Sequence, residues 1–236
     1  MNPRNNYFSW VLTASVFATA CNEPPAVPGA AAGDGSAVTA LPYLGIPDVE
    51  FHKTEDGSVI SDTIQYVIPK FSFTNQDGKE ISHHDYEGHI FLVDYFFTNC
   101  KSICPVMSSQ LSRIQDQLRR DQLWGDVMIL SHTVDPDRDS PEQLKEYGSR
   151  LGADFSHWNF VTGNKDDLYS QAKEGYFLTA FPSDTAAGGF FHSDQVVLID
   201  RYFHIRGTYH GTSTASMDRL YSDIQLLLHE QPADKP

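Results

Sequence analysis

With 236 residues, 40% hydrophobic and 12% aromatic, the chain has enough apolar mass for one domain with a real core plus tails. Its 17 basic residues stand against 31 acidic ones, net −14, and no basic cluster occurs, so nucleic-acid binding has no electrostatic footprint here. Such acidity keeps a protein soluble and can steer a cationic partner.

The first 20 residues read as an export signal. Arg4 supplies the positive start, Tyr7 to Ala18 a short and mostly apolar stretch, and Ala18-Thr19-Ala20 the small residues before Cys21. Small residues ending on cysteine resemble a bacterial lipoprotein signal, with Ala18 standing where leucine is usual. Cys21 is therefore expected to carry lipid and to become the mature N-terminus, on a membrane of the bacterial cell envelope and facing the periplasm or exterior. Residues 21–40, rich in Pro, Gly and Ala, cannot pack a core and read as a flexible tether. Residues 41–65 are expected to be an irregular N-terminal extension, and the folded domain to span 66–232.

Within that domain Phe71-Ser72-Phe73 alternates, Asn75-Gln76-Asp77-Gly78 turns, and Lys79-Glu80-Ile81 returns, an N-terminal hairpin. Ile90 to Phe97 is an apolar run with the length of a buried strand. Met107, Leu111, Ile114 and Leu118 then recur at helical spacing over about 105–120. Strands are expected at Asp126–Ser131, Trp158–Val161, Gln195–Asp200 and Tyr202–Gly207. Helices are expected from the capping box Ser140-Pro141-Glu142-Gln143 to about Leu151, over Lys165–Glu174, and from Ser213 to His229. The order ββαβαβαββα, with parallel crossovers in the middle and an antiparallel hairpin at the end, predicts an α/β, thioredoxin-like fold: a central mixed sheet flanked by helices.

The chemistry concentrates at Cys100-Lys101-Ser102-Ile103-Cys104-Pro105, directly after the buried strand. Thiols at a helix start are favoured as thiolates by the helix dipole and the unpaired N–H groups. The third cysteine, Cys21, is expected to carry lipid at the mature N-terminus, so Cys100 and Cys104 are the only thiol pair left to the domain. Their loop is too short for a disulfide to act as a stability staple, which points to a redox-active pair or a metal pair. Cysteines at i and i+4 face one way, and two soft sulfurs select Cu(I), zinc or iron–sulfur chemistry. A histidine is wanted to complete such a site. Of the ten histidines, His83, His84 and His89 surround a polar turn, and His157, His204, His210 and His229 read as ordinary surface or hairpin residues. His192 differs because Phe190-Phe191-His192-Ser193 immediately precedes a strand, in the loop that thioredoxin-like folds place beside the thiol turn. Ala186-Ala187-Gly188-Gly189 before it offers a flexible approach.

Four stretches together resemble the Sco/SenC family of copper-binding, thioredoxin-like assembly factors. They are Phe97 to Pro105, Thr133-Val134-Asp135-Pro136-Asp137-Arg138-Asp139, Trp158 to Gly163, and His192-Ser193. Lys101 departs from the proline often found there and adds a cation near the sulfurs. The resemblance covers about residues 66–230. It implies copper ligands Cys100, Cys104 and His192, with Asp135 as a supporting residue that orients a ligand or offsets charge. It further implies copper as Cu(I) or Cu(II), and delivery to the dinuclear copper site of a respiratory cytochrome c oxidase. The partners would be the copper-accepting oxidase subunit and other periplasmic copper carriers, with a lipid-anchored monomer as the default state. The alternative is a thiol–disulfide reductase that keeps the acceptor's cysteines reduced. That reading needs the cysteines but not His192. Against it stand the third residue between the cysteines, where disulfide oxidoreductases use Cys-x-x-Cys, and the absence of proline from Ser193-Asp194-Gln195.

Overall fold

A computed structural model describes residues 40–183 and 189–230. The leader, Cys21 and the tether lie outside the described residues, as do residues 184–188 of the small-residue run before His192. In chain order the elements are β1 (Asp48–Lys53), β2 (Val59–Ile64), β3 (Ser72–Asn75), β4 (Glu80–Ser82), β5 (Ile90–Phe96), α1 (Cys104–Arg120), β6 (Val127–Thr133), α2 (Pro141–Arg150), β7 (Trp158–Thr162), α3 (Lys165–Ser170), β8 (Ala180–Pro182), β9 (Phe190–His192), β10 (Gln195–Ile199), β11 (Ile205–His210) and α4 (Thr214–His229). A single turn of 3-10 helix, His83–Tyr86, links β4 to β5.

Seven strands form one mixed sheet in the order β11-β10-β5-β6-β7-β3-β4. β5, β6 and β7 run parallel, while β10, β11, β3 and β4 are antiparallel to their neighbours. This is the expected thioredoxin-like sheet with its N-terminal hairpin at β3–β4. β5, β6 and β7 are buried at every position, which is why they read as continuous apolar runs rather than alternating ones. The hairpin turn closes through Asn75, whose side-chain oxygen accepts the N–H groups of Asp77 and Lys79, with Gly78 at φ 69°.

Three boundaries differ from the expectation. Residues 48–64 are not irregular: β1 and β2 pair as a separate two-stranded hairpin. Every position of its two strands is exposed, so it carries no buried-face pattern by which a sequence reveals a strand. The helix expected over 165–174 ends at Ser170 and continues as a π-helical turn, Gln171–Gly175. The last strand begins at Ile205 rather than Tyr202, because the Asp200 carboxylate accepts the N–H groups of Tyr202 and His204 and holds a turn with Phe203 at φ 68°. A turn stabilised by an aspartate side chain competes directly with strand pairing.

Two buried polar groups shape the domain's energetics. Arg206, in β11, is 3% exposed and clasps both ends of the domain. Its guanidinium donates to Asp200, to Glu230 just past α4, and to the carbonyls of Leu41 and Pro42, while Tyr43 covers it at 4.2 Å from the ring centroid. His132, in β6, is fully buried, stacked on Tyr95 at 4.7 Å and edged by Phe73 and Tyr176. Neither of its ring nitrogens has a hydrogen-bond partner. Burial depresses its pKa to about 3.

Candidate metal centre

β5 delivers the chain to the thiols at its carboxyl end, where open α/β sheets place their sites. After Phe96 a tight turn closes with the Cys100 N–H donating to the Phe97 carbonyl at 3.2 Å. α1 then starts on Cys104 itself, with Pro105 in its first turn, a position that needs no backbone donor. Ile103 at the N-cap offers no side-chain cap, and no acidic residue occupies the first turn. Met107, expected in the core from its helical spacing, is 1% exposed.

His192 arrives from another direction. The segment expected to be a loop is the short strand β9, paired antiparallel with β8 so that His192 sits opposite Ala180. His192 is 6% exposed, with Phe97 against its ring edge-on at 6.0 Å. Its Nδ1 lies 3.0 Å from the Ser193 carbonyl and its Nε2 lies 3.2 Å from Cys104 Sγ. A carbonyl can only accept, so Nδ1 carries the proton and the Nε2 lone pair faces the sulfurs. The ligand atoms of Cys100, Cys104 and His192 all fall within 4.8 Å of one another. All three expected ligands are thus brought together.

The two sulfurs are unequal. Both are free thiols, Cys104 buried and Cys100 half-buried. Hydrogen bonding from Cys104 holds the Cys100 pKa far below the usual thiol range, with Ser102 adding to the effect and burial opposing it. The same pairing, together with burial, pushes Cys104 up. The half-buried Cys100 is therefore the sulfur favoured as thiolate, and the buried Cys104 the one favoured as thiol. Beneath them, Asp94 in β5 is buried and accepts from the Ser131 hydroxyl, which accepts in turn from the Trp158 indole N–H at 2.9 Å. Burial raises the Asp94 pKa to about 6, with the Ser131 bond and His192 acting the other way.

Asp135 is placed differently from its expected supporting role. It follows β6, is 3% exposed, and pairs with Arg138 at 3.2 Å while its N–H donates to the Thr133 hydroxyl. No hydrogen bond joins it to the three ligands among the described residues. The acid that reaches the thiol turn is Asp139, the last residue of the Thr133-to-Asp139 stretch, to which the sequence assigned no role of its own. Its carboxylate accepts from the Thr98 N–H, the Thr98 hydroxyl and the Thr133 hydroxyl. Those bonds lock Thr98, two residues before Cys100, to the end of β6. Asp139→Ala leaves three donors without their acceptor and is expected to cost about 2–4 kcal/mol. Asp135→Asn, which loses a pair whose Arg138 side chain is 67% exposed, should cost at most about 1 kcal/mol. Urea unfolding of the two variants checks the contrast.

The SCO1/SenC family model matches residues 61–229. The chain belongs to the SCO1/SenC family. A SCO1 protein homolog of Bacillus subtilis is 32% identical over 174 residues, covering 72% of this chain and 86% of the relative. The crystal structure of a SCO1/SenC family lipoprotein from Bacillus anthracis superposes with a TM-score of 0.64 at 30% identity, covering 69% of this chain and 95% of the other. The structure of BsSco, a member of the Sco family of cytochrome c oxidase assembly proteins studied for a disulfide switch, superposes with a TM-score of 0.62 at 28% identity, covering 70% and 95%. The SCO1/SenC domain accordingly spans nearly all of the described residues, and the hairpin β1–β2 straddles the start of the match.

Proposed function

We propose that this protein is a membrane-tethered copper chaperone that delivers copper to the dinuclear copper site of a respiratory cytochrome c oxidase during its assembly. The observation that carries the reading is the convergence of Cys100, Cys104 and His192 ligand atoms within 4.8 Å at the mouth of β5. Two sulfurs and one imidazole form a soft donor set suited to Cu(I). The ring orientation supports it too, since the Ser193 carbonyl fixes the tautomer that leaves Nε2 free to bind.

Delivery proceeds by ligand exchange. Cu(I) is held between the Cys100 and Cys104 thiolates and His192 Nε2. An incoming acceptor thiolate bonds to copper as one of these bonds breaks, and the proton released by the acceptor thiol returns to a departing sulfur. No electron moves. Cys100, the more exposed sulfur, is the side from which an acceptor approaches. Export and lipidation at Cys21 put the domain in the compartment where such an acceptor faces it.

The test is an anaerobic competition titration of the reduced protein with Cu(I), beside His192→Ala. One-to-one binding that weakens at least about a hundredfold in the variant is expected, because even residues that only support metal ligands cost ten- to a hundredfold. Binding indifferent to His192 overturns the reading. One observation favours a second role: the half-buried, thiolate-stabilised Cys100 beside a fully buried Cys104 is also the arrangement of a thiol–disulfide reductase for the acceptor's cysteines. That activity should survive His192→Ala, so the same variant separates the two.

A further inference from the structure

We infer a second metal site, chemically unlike the first, at the amino end of β5. It takes a divalent cation of borderline softness, Zn(II) or Cu(II), through His83, His84 and Glu87. Their ligand atoms all lie within 4.8 Å of one another, on the turn of 3-10 helix between β4 and β5.

The turn is built rigidly by groups that are not themselves donors to the ion. Ser82 and Asp85 form a reciprocal capping box: the Ser82 N–H donates to the Asp85 carboxylate at 2.7 Å, and the His84 N–H to Ser82 Oγ at 3.3 Å. This fixes the backbone of His83 and His84 and occupies Asp85, leaving Glu87 as the acid that turns toward the histidines. Glu87 Oε1 lies 2.7 Å from His84 Nδ1.

The second observation comes from His83. Both of its ring nitrogens are buried and lack any hydrogen-bond partner, although its ring is pressed against His84 at 3.9 Å and edged by Phe71 and Phe203. An imidazole stripped of water with no polar partner is costly, and a ligated cation removes the cost by taking the lone pair of one nitrogen. Two imidazoles and a carboxylate are a nitrogen–oxygen set. They suit Zn(II) and Cu(II), and match neither the soft preference of Cu(I) nor the all-oxygen shells of Mg(II) and Ca(II). The two sites lie at opposite ends of one strand. β5 runs seven residues from Ile90 to Phe96, about 20 Å at strand rise, so one ion cannot serve both.

The inference does not rest on the copper-chaperone reading, and its test is run where that site is absent. The full chain carrying Cys100→Ala, Cys104→Ala and His192→Ala is titrated with Zn(II) against a chromophoric chelator, and separately with Cu(II) followed by electron paramagnetic resonance. One equivalent of at least one of the two ions should bind, with nitrogen hyperfine structure for Cu(II). Adding His84→Ala or Glu87→Gln should weaken it at least tenfold, while His157→Ala should not. His84 and Glu87 are exposed, so these changes leave the core intact. The same comparison with the sulfurs present guards against a misfolded triple variant: the His84→Ala protein should bind one equivalent of Zn(II) fewer than its parent. Equal stoichiometry and affinity with and without His84, in both backgrounds, overturns the site and leaves a surface His84–Glu87 ion pair only.

Discussion

His132→Phe makes the protein more resistant to mild acid, and the effect has a definite sign and window. His132 has a folded pKa of about 3 against about 6.5 in the unfolded chain. Between those values the unfolded state binds a proton that the folded state refuses, so stability falls as pH drops below about 6.5. At one pKa unit per about 1.4 kcal/mol, acidification from pH 7.5 to pH 4 removes about 3 kcal/mol through this group. Asp94 opposes it. Its folded pKa of about 6 lies well above that of an ordinary aspartate, so the folded state is the one that takes up the proton between those limits, and stability rises by a similar amount as pH falls. The wild type should therefore show a shallow pH dependence in which two large contributions cancel. Phenylalanine keeps a ring between Tyr95, Phe73 and Tyr176 while deleting the titrating nitrogens. The stability of His132→Phe relative to wild type should improve by about 3 kcal/mol between pH 7.5 and pH 4, read from denaturant midpoints across that range. A constant difference between the two proteins would show that His132 does not titrate in this window.

Arg206→Ala is expected to be the most damaging single change outside the metal centre, at about 3–5 kcal/mol. The guanidinium is 3% exposed and its partner Asp200 5%. Removing it leaves a carboxylate buried without its cation, a second acid at Glu230 without its fork, and the carbonyls of Leu41 and Pro42 without donors. Burying an ion pair contributes little net stability, whereas halving one is severe. The triple variant Arg206→Met, Asp200→Asn, Glu230→Gln should consequently be more stable than Arg206→Ala alone. Chemical denaturation gives the order, and equal stabilities would mean that the loss comes from packing of the arginine stem.

The parts of the molecule that could be read from its residues were those whose physics is local. Ile90 to Phe97 could only be a buried strand, and a thiol pair entering a helix has few uses. His192 was legible through its place before β10, although its own segment proved to be the three-residue β9, too short for periodicity to mark. What escaped were relations between distant positions. Asp135 and Asp139 are equivalent as letters four apart, and only the packing of β5 beside β6 decides that Asp139 reaches Thr98. His83 and His84 looked like ordinary polar-turn residues because nothing in a sequence shows that the His83 ring turns inward under Phe71 and Phe203. The β1–β2 hairpin left no trace since it buries none of its faces.

α2, α3 and α4 each begin on an oxygen: Ser140, Asn164 and Ser213 accept N–H groups of their own first turns. α1 has no such cap. Negative charge near its start would come from sulfur, since the Cys100 thiolate is favoured, and would change with the protonation or ligation of the sulfurs. Charge at a helix start is worth about 0.3–1 kcal/mol, too little to unfold the domain and enough to soften one turn. The amides of Val106 and Met107, which donate to the Ile103 carbonyl, should therefore serve as a gauge: their hydrogen-exchange protection is expected to change with the chemical state of Cys100 and Cys104.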